Sequence, residues 1–261
     1  MKIPLATLTT DFGLSDPFVG IMKGVALGVA PQARIVDLTH LVPPQGVAEA
    51  ALVLKQSWRY FPKYSLHTVV VDPGVGSHRD IVLVRTPSAL FLAPDNGVLT
   101  YALEDQKILD ARQVSNPHYF LASVSNTFHG RDIFAPVMGH LLRGVSPALM
   151  GPAAGSLQLL PALPAFQAQA GSVKGMVLSA DHFGNLLTNI PQGPFQARKI
   201  RGVGIRGKRV PGVFPSFASV ELGSLGAVWG SSGHLEIFLR NGNAAQSLQA
   251  HVGDEVVLEL E

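Results

Sequence analysis

Several short polar segments of this sequence place carboxylates, an arginine and a histidine at spacings that suit acid–base chemistry. The segment Asp72–Arg79 reads Asp-Pro-Gly-Val-Gly-Ser-His-Arg. It lacks the third glycine of a dinucleotide-binding loop, and a strand-like run follows it instead of a helix that could bind phosphate. We predict a tight turn that pairs Asp72 with Arg79, whose guanidinium would keep the carboxylate ionised. Such a pair is either structural or part of a functional crevice.

His129 lies in the segment Ser125–Asp132, just before a helical pattern. It resembles the His-Arg-Asp loop of kinases only superficially, because Gly130 intervenes and no matching glycine-rich loop is present. The other histidines have no partner at metal-ligand spacing and the chain has no cysteine, so we predict no metal site. Taken alone, His129 fits a structural or a catalytic role.

Two carboxylates, Asp11 and Asp16, follow the first predicted strand across a glycine turn. They can face one cavity, where one would accept hydrogen bonds from paired hydroxyls and the other would meet a cation. The alternative is local, with Asp16 as the N-cap of the next helix and Asp11 in an Asx turn.

A last group of polar segments lies in the C-terminal third of the chain, at Asp181–Asn185, Ser231–Gly233 and Asn241–Ala245. Their composition is typical of β-turns, and it also suits the rim of a binding site.

The elements that must position these residues alternate between strands and helices over the first 150 residues. Apolar runs predict strands at Ile3–Thr9, Arg34–Leu38, Thr68–Val71, Asp80–Arg85 and Ala89–Ala93, and helical spacing predicts helices at Asp16–Val29, Val47–Tyr60 and Asp132–Arg143. This order predicts an N-terminal three-layer α/β/α domain with a mostly parallel or mixed sheet. Ligands of open α/β sheets bind at the ends of the strands, where the polar segments stand.

Residues 151–261 differ in composition and in hydrophobic pattern from the first 150 residues. We predict an N-terminal domain over residues 1–150, a linker rich in proline, alanine and glycine over 151–171, and a smaller β-barrel-like C-terminal domain over 172–261. The last prediction rests on short strand-like runs at Val173–Ser179, Leu186–Ile190, Gly202–Ile205, Ala227–Trp229, Leu235–Leu239 and Glu255–Leu260.

Composition excludes several classes of protein. The chain has 261 residues, of which 47% are hydrophobic and 15% charged, so it is not intrinsically disordered. It lacks the cysteines of a disulfide scaffold, and no apolar run is long enough for a membrane span. The first ten residues are too short and too polar for a signal peptide. A formal net charge of +2 gives little electrostatic attraction to nucleic acid. We expect a cytoplasmic protein that binds neither membrane nor nucleic acid.

Six segments, in order along the whole chain, resemble one family, the S-adenosylmethionine hydroxide adenosyltransferases, which are adenosine-forming hydrolases related to fluorinase and chlorinase. The segments are Thr10–Gly13 with Asp16, Asp72–Gly76 with Arg79, Ala93–Gly97, Thr127–Asp132, Asp181–Asn185 and Asn241–Ala245. The resemblance implies an α/β N-terminal domain, a β-rich C-terminal domain and a homotrimer with active sites between subunits.

The resemblance also implies roles for individual residues. The catalytic residues would be Asp72, Arg79 and His129. Asp11 would bind the ribose hydroxyls, and the other substrate-binding residues would be Asp16, Asp181 and Ser231 at the methionine amino group, Asn185, Phe217 and Ala244 at the adenine, and Phe128, Phe183, Ser232 and Asn243 around them. Ser232 stands where the halogenases carry an arginine beside the methionine carboxylate. Asp72 and His129-Gly130 stand where they carry a tyrosine and a Tyr-Ser pair.

The expected reaction is therefore metal-independent hydrolysis of S-adenosylmethionine at ribose C5′, without a cofactor. Two alternatives stay open, a chlorinase-like halogenase and a non-catalytic protein that binds S-adenosylmethionine or adenosine.

Overall fold

The computed structural model describes residues 3–261, so Met1 and Lys2, which belong to the segment compared with a signal peptide and to the predicted N-terminal domain, lie outside the described residues. The chain divides into two compact units, one ending at Pro161 and the other spanning Ala162–Glu261. No helix within residues 3–261 combines the length and the apolar character needed to cross a bilayer.

The first unit is built on a six-stranded mixed sheet. Its elements are β1 (Ala6–Thr10), α1 (Phe18–Val29), β2 (Ile35–Thr39), α2 (Val47–Ser57), β3 (Ser65–Val70), β4 (Ile81–Arg85), β5 (Ala89–Pro94), α3 (Thr100–Leu103), β6 (Asp110–Gln113) and α4 (Ala135–Leu142). The strand order is β2-β1-β3-β5-β4-β6. Strands β2, β1, β3 and β5 run parallel, whereas β4 is antiparallel to β5 and β6.

Alternation along β5 explains the three layers of this unit. Leu90 and Leu92 belong to a core shared with α1 and α4, whereas Phe91 belongs to a separate core shared with α2 and α3. Successive side chains of a strand point to opposite faces, so both faces of the sheet are covered by helices. The predicted α/β/α architecture is confirmed.

The parallel pairing of β1 with β3 positions the functional segments. Thr10, the last residue of β1, lies opposite Val70, the last residue of β3. The segments that begin at Asp11 and Asp72 therefore leave the same edge of the sheet on neighbouring strands.

The second unit is a nearly closed sheet. Its elements are β7 (Gln167–Gln169), β8 (Ser172–Ala180), β9 (Leu186–Pro191), β10 (Ile200–Ile205), β11 (Lys208–Val210), β12 (Val213–Phe214), β13 (Leu225–Trp229), β14 (His234–Leu239), α5 (Ala244–Leu248) and β15 (Glu255–Leu260). The order is β11-β10-β15-β8-β9-β14-β13-β12, and the two ends meet because β10 approaches β12 and β11 approaches β13. The predicted barrel-like fold is confirmed.

Some predicted boundaries were wrong. Helix α1 begins at Phe18 rather than Asp16, with Pro17 at its N-cap position. The second predicted helix ends as an α-helix at Ser57 and continues as a 3₁₀ turn, Trp58–Tyr60. The third begins as a π-helical turn, Gly130–Phe134, which continues into α4. Strand β6 has no strong apolar alternation and was not predicted.

Candidate active site

Asp72 and Arg79 form a largely buried ion pair just after β3. Arg79 Nε donates to Asp72 Oδ1 at 3.0 Å and Oδ2 at 2.8 Å, and Nη2 also donates to Oδ2. The two side chains are only 5% and 12% exposed. The predicted pairing is confirmed, and its two-nitrogen geometry is one that a lysine could not reproduce.

A tight turn brings these two residues together. Gly76 adopts φ +78°, and a Cβ at this position would collide with the backbone carbonyl oxygen of Asn126. The hydroxyl of Ser77 donates to the Gly74 carbonyl and accepts the Arg79 N–H. The second glycine of the segment thus serves the turn and its approach to residue 126.

His129 contacts the other side of the same guanidinium. Arg79 Nη2 lies 2.9 Å from His129 Nδ1. Because a guanidinium can only donate, Nδ1 must accept, which leaves the proton of the neutral ring on Nε2. Burial, and then the charge of Arg79, lower the pKa of His129, against the opposite effects of Asp72, Asp132 and the Ser125 backbone. The ring is therefore neutral near pH 7.

The loop that carries His129 is held by a buried carboxylate. Asp132 is fully buried and accepts from the backbone N–H and the hydroxyl of Ser125, at 2.8 Å and 2.7 Å, and from Arg131 Nε. Burial acts to raise the pKa of Asp132, but the hydrogen bonds from Arg131 and Ser125 outweigh it and lower the pKa. His129 occupies the N-cap position of the helical turn that follows, which has no side-chain cap.

Asp11 follows β1 and reaches across to another loop. Its Oδ2 accepts the backbone N–H of Gln45 at 2.8 Å. The Asx-turn alternative is wrong, because the local turn is instead held by the Thr10 hydroxyl, which accepts the Phe12 N–H. Gln45 adopts φ +64°, a conformation that is uncommon for a residue other than glycine.

A cavity of about 760 Å³ opens beside these groups within the first unit. Asp11, Asp72 and His129 all line it, whereas Arg79 lies behind the Asp72 carboxylate and is not among the lining residues. Aromatic rings form another part of the wall. Phe12, Phe18 and Phe128 pack edge to face with centroid distances of 5.3 to 6.0 Å. The cavity therefore combines an apolar wall with two acidic side chains and a neutral imidazole.

Asp16 was predicted to join Asp11 at one site or to cap α1, and the structure shows neither. It is exposed, does not line the cavity, and α1 has no side-chain cap.

In the second unit, two of the predicted segments meet. Asp181 accepts from the backbone N–H of Asn185 at 2.8 Å and from its side-chain amide at 2.9 Å. The Gly184 carbonyl accepts the Ala245 N–H, and Gly184 lies so close to Asn243 that a Cβ would overlap the Asn243 side chain. Asn243 caps α5, which begins at Ala244.

The other predicted residues of this unit are exposed. Ser231 and Ser232 occupy the turn between β13 and β14, exposed to solvent. Phe217 is in a 3₁₀ turn and packs edge to face on Phe238 at 4.9 Å. Phe183 is 72% exposed.

Sequence reasoning assigned no role to several residues at the cavity. Gln45, Pro44 and Arg131 line it. Arg131 stood inside a quoted motif, and its guanidinium lies 5.3 Å from the centroid of the Phe128 ring. Nothing in the sequence marks Gln45, because it contacts Asp11 through its backbone N–H and 34 residues separate the two.

Among the described residues 3–261, no group of three or more histidine, aspartate or glutamate side chains could hold a metal ion. The chemistry that these side chains offer is proton acceptance by a carboxylate and hydrogen-bond donation by an imidazole.

Comparison with known proteins assigns the chain to a family. The profile of the SAM hydroxide adenosyltransferase N-terminal domain matches residues 6–151, and that of the C-terminal domain matches residues 175–257. The chain belongs to the SAM hydroxide adenosyltransferase family. A relative from Salinispora arenicola, named (R)-S-adenosyl-L-methionine hydrolase, is 37% identical over 97% of this chain and 97% of its own length.

Two further comparisons concern a solved structure and a halogenase. A crystal structure of an uncharacterized conserved protein from Thermotoga maritima has a TM-score of 0.91 and 35% identity, covering 97% of this chain and 99% of its own. A fluorinase from an Actinoplanes species is 28% identical over 72% of each chain. The hydrolase relative is therefore closer in sequence than this halogenase.

Proposed function

We propose that this chain hydrolyses S-adenosyl-L-methionine to adenosine and L-methionine. A water oxygen forms a bond to ribose C5′ while the C5′–S bond breaks. The electron pair of the C5′–S bond leaves with the sulfur of methionine. One water proton is released. The observation that carries the proposal is Arg79, which joins Asp72 and His129 beside the cavity that Asp11 also lines.

The geometry supports Asp72 as the group that accepts the proton. Its carboxylate lines the cavity, and Arg79 approaches it from behind. Carboxylate oxygens accept several hydrogen bonds at once, so a water can still donate to Asp72 while Arg79 holds it. General-base help of this kind contributes about 10²- to 10⁴-fold to a rate.

His129 can donate a hydrogen bond to the oxygen of the same water molecule. With Nδ1 accepting from Arg79, the neutral ring offers its Nε2 proton as a donor. A water molecule that accepts a hydrogen bond from Nε2 and donates one to Asp72 is held in one orientation. The protein thereby sets the direction of the water's remaining lone pair. The proposed part of His129 is thus to orient the nucleophile, while Arg79 orients both partners.

The substrate itself supplies the activation of the leaving group. A sulfonium departs from C5′ as a neutral thioether, and a divalent cation beside it would repel its positive charge. We therefore propose that the reaction needs neither metal nor cofactor. Asp11 would bind the ribose hydroxyls against the aromatic wall that includes Phe128.

The second unit is proposed to bind the ends of the substrate. Asp181 and Ser231 would meet the methionine amino group together with Asp16, and Ser232 would stand beside the carboxylate. Asn185, Phe217 and Ala244 would receive the adenine, with Phe183 and Asn243 around it.

We further propose a homotrimer with active sites between neighbouring subunits, as the resemblance implies. Two exposed leucines adjoin the site segments, Leu14 at 70% and Leu41 at 66% exposure, and a neighbouring subunit would cover them. Light scattering after gel filtration should give three times the mass of the 27.7 kDa chain. A monomer that turns over at full rate would contradict the shared site.

We also propose a cytoplasmic location for this protein, and cell fractionation checks it.

Halogenation is the nearer alternative, since fluorinases are among the relatives. An ionised Asp72 beside the nucleophile would repel a halide but accept a hydrogen bond from water. The hydrolase proposal therefore predicts adenosine, with no 5′-chloroadenosine, even at high chloride concentration.

The deciding experiment offers the protein both sulfur epimers of S-adenosyl-L-methionine, with EDTA, in water enriched in ¹⁸O. The relatives' name specifies the (R) form, so we expect that epimer to give adenosine with ¹⁸O in its 5′-hydroxyl. Product without the label would contradict attack of water at C5′, and loss of turnover in EDTA would contradict the metal-free mechanism.

A pair of variants separates an enzyme from a binding protein. Asp72→Asn should abolish adenosine release but keep most of the substrate affinity, because it removes the proton acceptor with little change in shape. The matched control is Asp105→Asn, at a side chain that is 76% exposed and pairs only loosely with Arg59 at 3.7 Å. Wild-type protein that binds either epimer without releasing adenosine would favour the binding protein.

A further inference from the structure

A buried histidine outside the cavity, His40, ties together the two segments that hold Asp11. It lies in the loop between β2 and α2 and is 3% exposed. Its Nδ1 is 2.9 Å from the hydroxyl of Thr10, the residue before Asp11, and its carbonyl accepts the Gly13 N–H at 2.8 Å. The turn Asp11–Gly13 is therefore held on both sides by one residue.

The neighbours of His40 indicate which of its nitrogens carries the proton. Asp37 Oδ1, a carboxylate oxygen that can accept, lies 3.0 Å from Nε2, although the contact is not aligned as a hydrogen bond. With the ring proton on Nε2, Nδ1 accepts from the Thr10 hydroxyl, whose oxygen also accepts the Phe12 N–H. Asp37 in turn pairs with Lys23.

The same loop also fixes the Asp11 carboxylate itself. Five residues after His40, Gln45 donates its backbone N–H to Asp11 Oδ2 at 2.8 Å from a left-handed conformation. Asp11 is thus oriented by the β2–α2 loop twice, directly through Gln45 and indirectly through His40 and Thr10. A shift of this loop would move the carboxylate within the cavity.

We propose that His40 is a positioning residue for Asp11, acting through the Thr10 hydroxyl, with Asp37 orienting its ring. The inference rests on the proposed function in one respect, that Asp11 binds the ribose hydroxyls. It predicts that the Nδ1 side of His40 governs recognition of the ribose, whereas the Nε2 side contributes less.

Two isosteric variants separate these sides. The δ oxygen of asparagine is as many bonds from Cα as His Nδ1, so His40→Asn keeps an acceptor for Thr10. The amide nitrogen of glutamine corresponds to Nε2, so His40→Gln keeps the contact with Asp37 and loses that with Thr10. His40→Ala loses both.

The measurement is calorimetric binding of adenosine and of 2′,3′-dideoxyadenosine, which needs no turnover. Wild-type protein should prefer adenosine by about 10- to 100-fold, the range expected for hydrogen bonds to a charged carboxylate. His40→Asn should keep most of this preference, and His40→Gln and His40→Ala should reduce it to below about threefold. The exposed His251→Gln is the matched control and should behave as wild type.

Other results overturn the proposal. If the affinities for the two nucleosides fall in parallel, His40 has only a structural role. If His40→Gln keeps the preference, or if wild-type protein has none, the link through Asp11 to the ribose is wrong. Should the His40 variants not fold, Thr10→Val decides by the same ratio, with Thr10→Ser as its control. Failure of hydrolysis with an intact ratio would contradict the proposed function and leave the role of His40 supported.

Discussion

Acid should destabilise the first unit through His67, a histidine that is buried without charge. His67 lies in β3 and is 1% exposed. Its Nδ1 is 2.9 Å from the Thr7 hydroxyl, and its ring stacks on Phe91 with centroids 5.4 Å apart. Burial lowers the pKa of His67 to about 4. The folded chain therefore resists protonation at a position where the unfolded chain does not.

The magnitude follows from the difference in proton affinity between the two states. An unfolded histidine has a pKa of about 6.5, so the unfolded state binds a proton as the pH falls below that value. The folded state binds it only near pH 4, so the free energy of unfolding falls with pH over this interval. The loss is about 2.5 kcal/mol by pH 4.5 and about 3 kcal/mol by pH 4, and it is absent above pH 7.

Urea unfolding of wild type and His67→Asn between pH 7 and pH 4.5 measures this loss of unfolding free energy. Any constant effect of the substitution shifts one curve against the other, whereas only the titration of His67 changes the slope. The chain has two tryptophans, Trp58 beside His67 and Trp229 in the second unit. Working in a Trp229→Phe background makes fluorescence report on the first unit alone.

The expected result is that the stability difference between the two proteins changes by about 2.5 kcal/mol across this range, with the wild type losing more. The exposed His251→Asn should keep the wild-type slope. Parallel curves for wild type and His67→Asn would contradict this prediction, because they would show that His67 titrates alike in the folded and unfolded states.

Three further predictions concern the candidate site. Gly76→Ala should lower kcat/KM at least about 10-fold, because the added Cβ collides with the Asn126 carbonyl and displaces the ion-pair turn; steady-state kinetics check it, and Gly223→Ala, at a similar φ but in open space, should keep wild-type kinetics. Asp132→Asn should lower the free energy of unfolding by about 2 kcal/mol in urea titrations, since it removes the charge of a fully buried carboxylate that accepts hydrogen bonds from Ser125 and from the partly exposed Arg131. In a pH–rate profile, kcat/KM should fall on the acid side only below the ordinary histidine pKa of about 6.5, because His129 acts neutral and its pKa is lowered; a fall that begins above that pH would contradict this role.

The pairing of Asp72 with Arg79 could be predicted from the sequence because the turn between them is short and rich in glycine. The contact of Arg79 with His129 could not, since 50 residues separate them and only the folded sheet and the π-helical turn bring them together. The family resemblance grouped the three residues, but it carried no information on which nitrogen of the ring faces the guanidinium.

Some local features near the candidate site could not be predicted from the sequence. Asp16 is a favourable capping residue by type, yet Pro17 occupies the N-cap position of α1. The left-handed backbone of Gln45 had no signal at all, because glutamine is not a residue that favours it. The hydrogen bond that Gln45 makes joins it to Asp11, 34 residues away, and local sequence does not encode such a contact.

The position of Arg79 has a consequence for how such a site can change over time. One guanidinium touches both the carboxylate and the imidazole, so replacing Arg79 would remove a hydrogen-bond partner from both at once, and replacing either of the others would change the surroundings of the guanidinium. An evolving protein that came to use another nucleophile would have to replace Asp72, Arg79 and His129 together. Intermediate sequences with only one of the three replaced should catalyse both the original and the new reaction poorly.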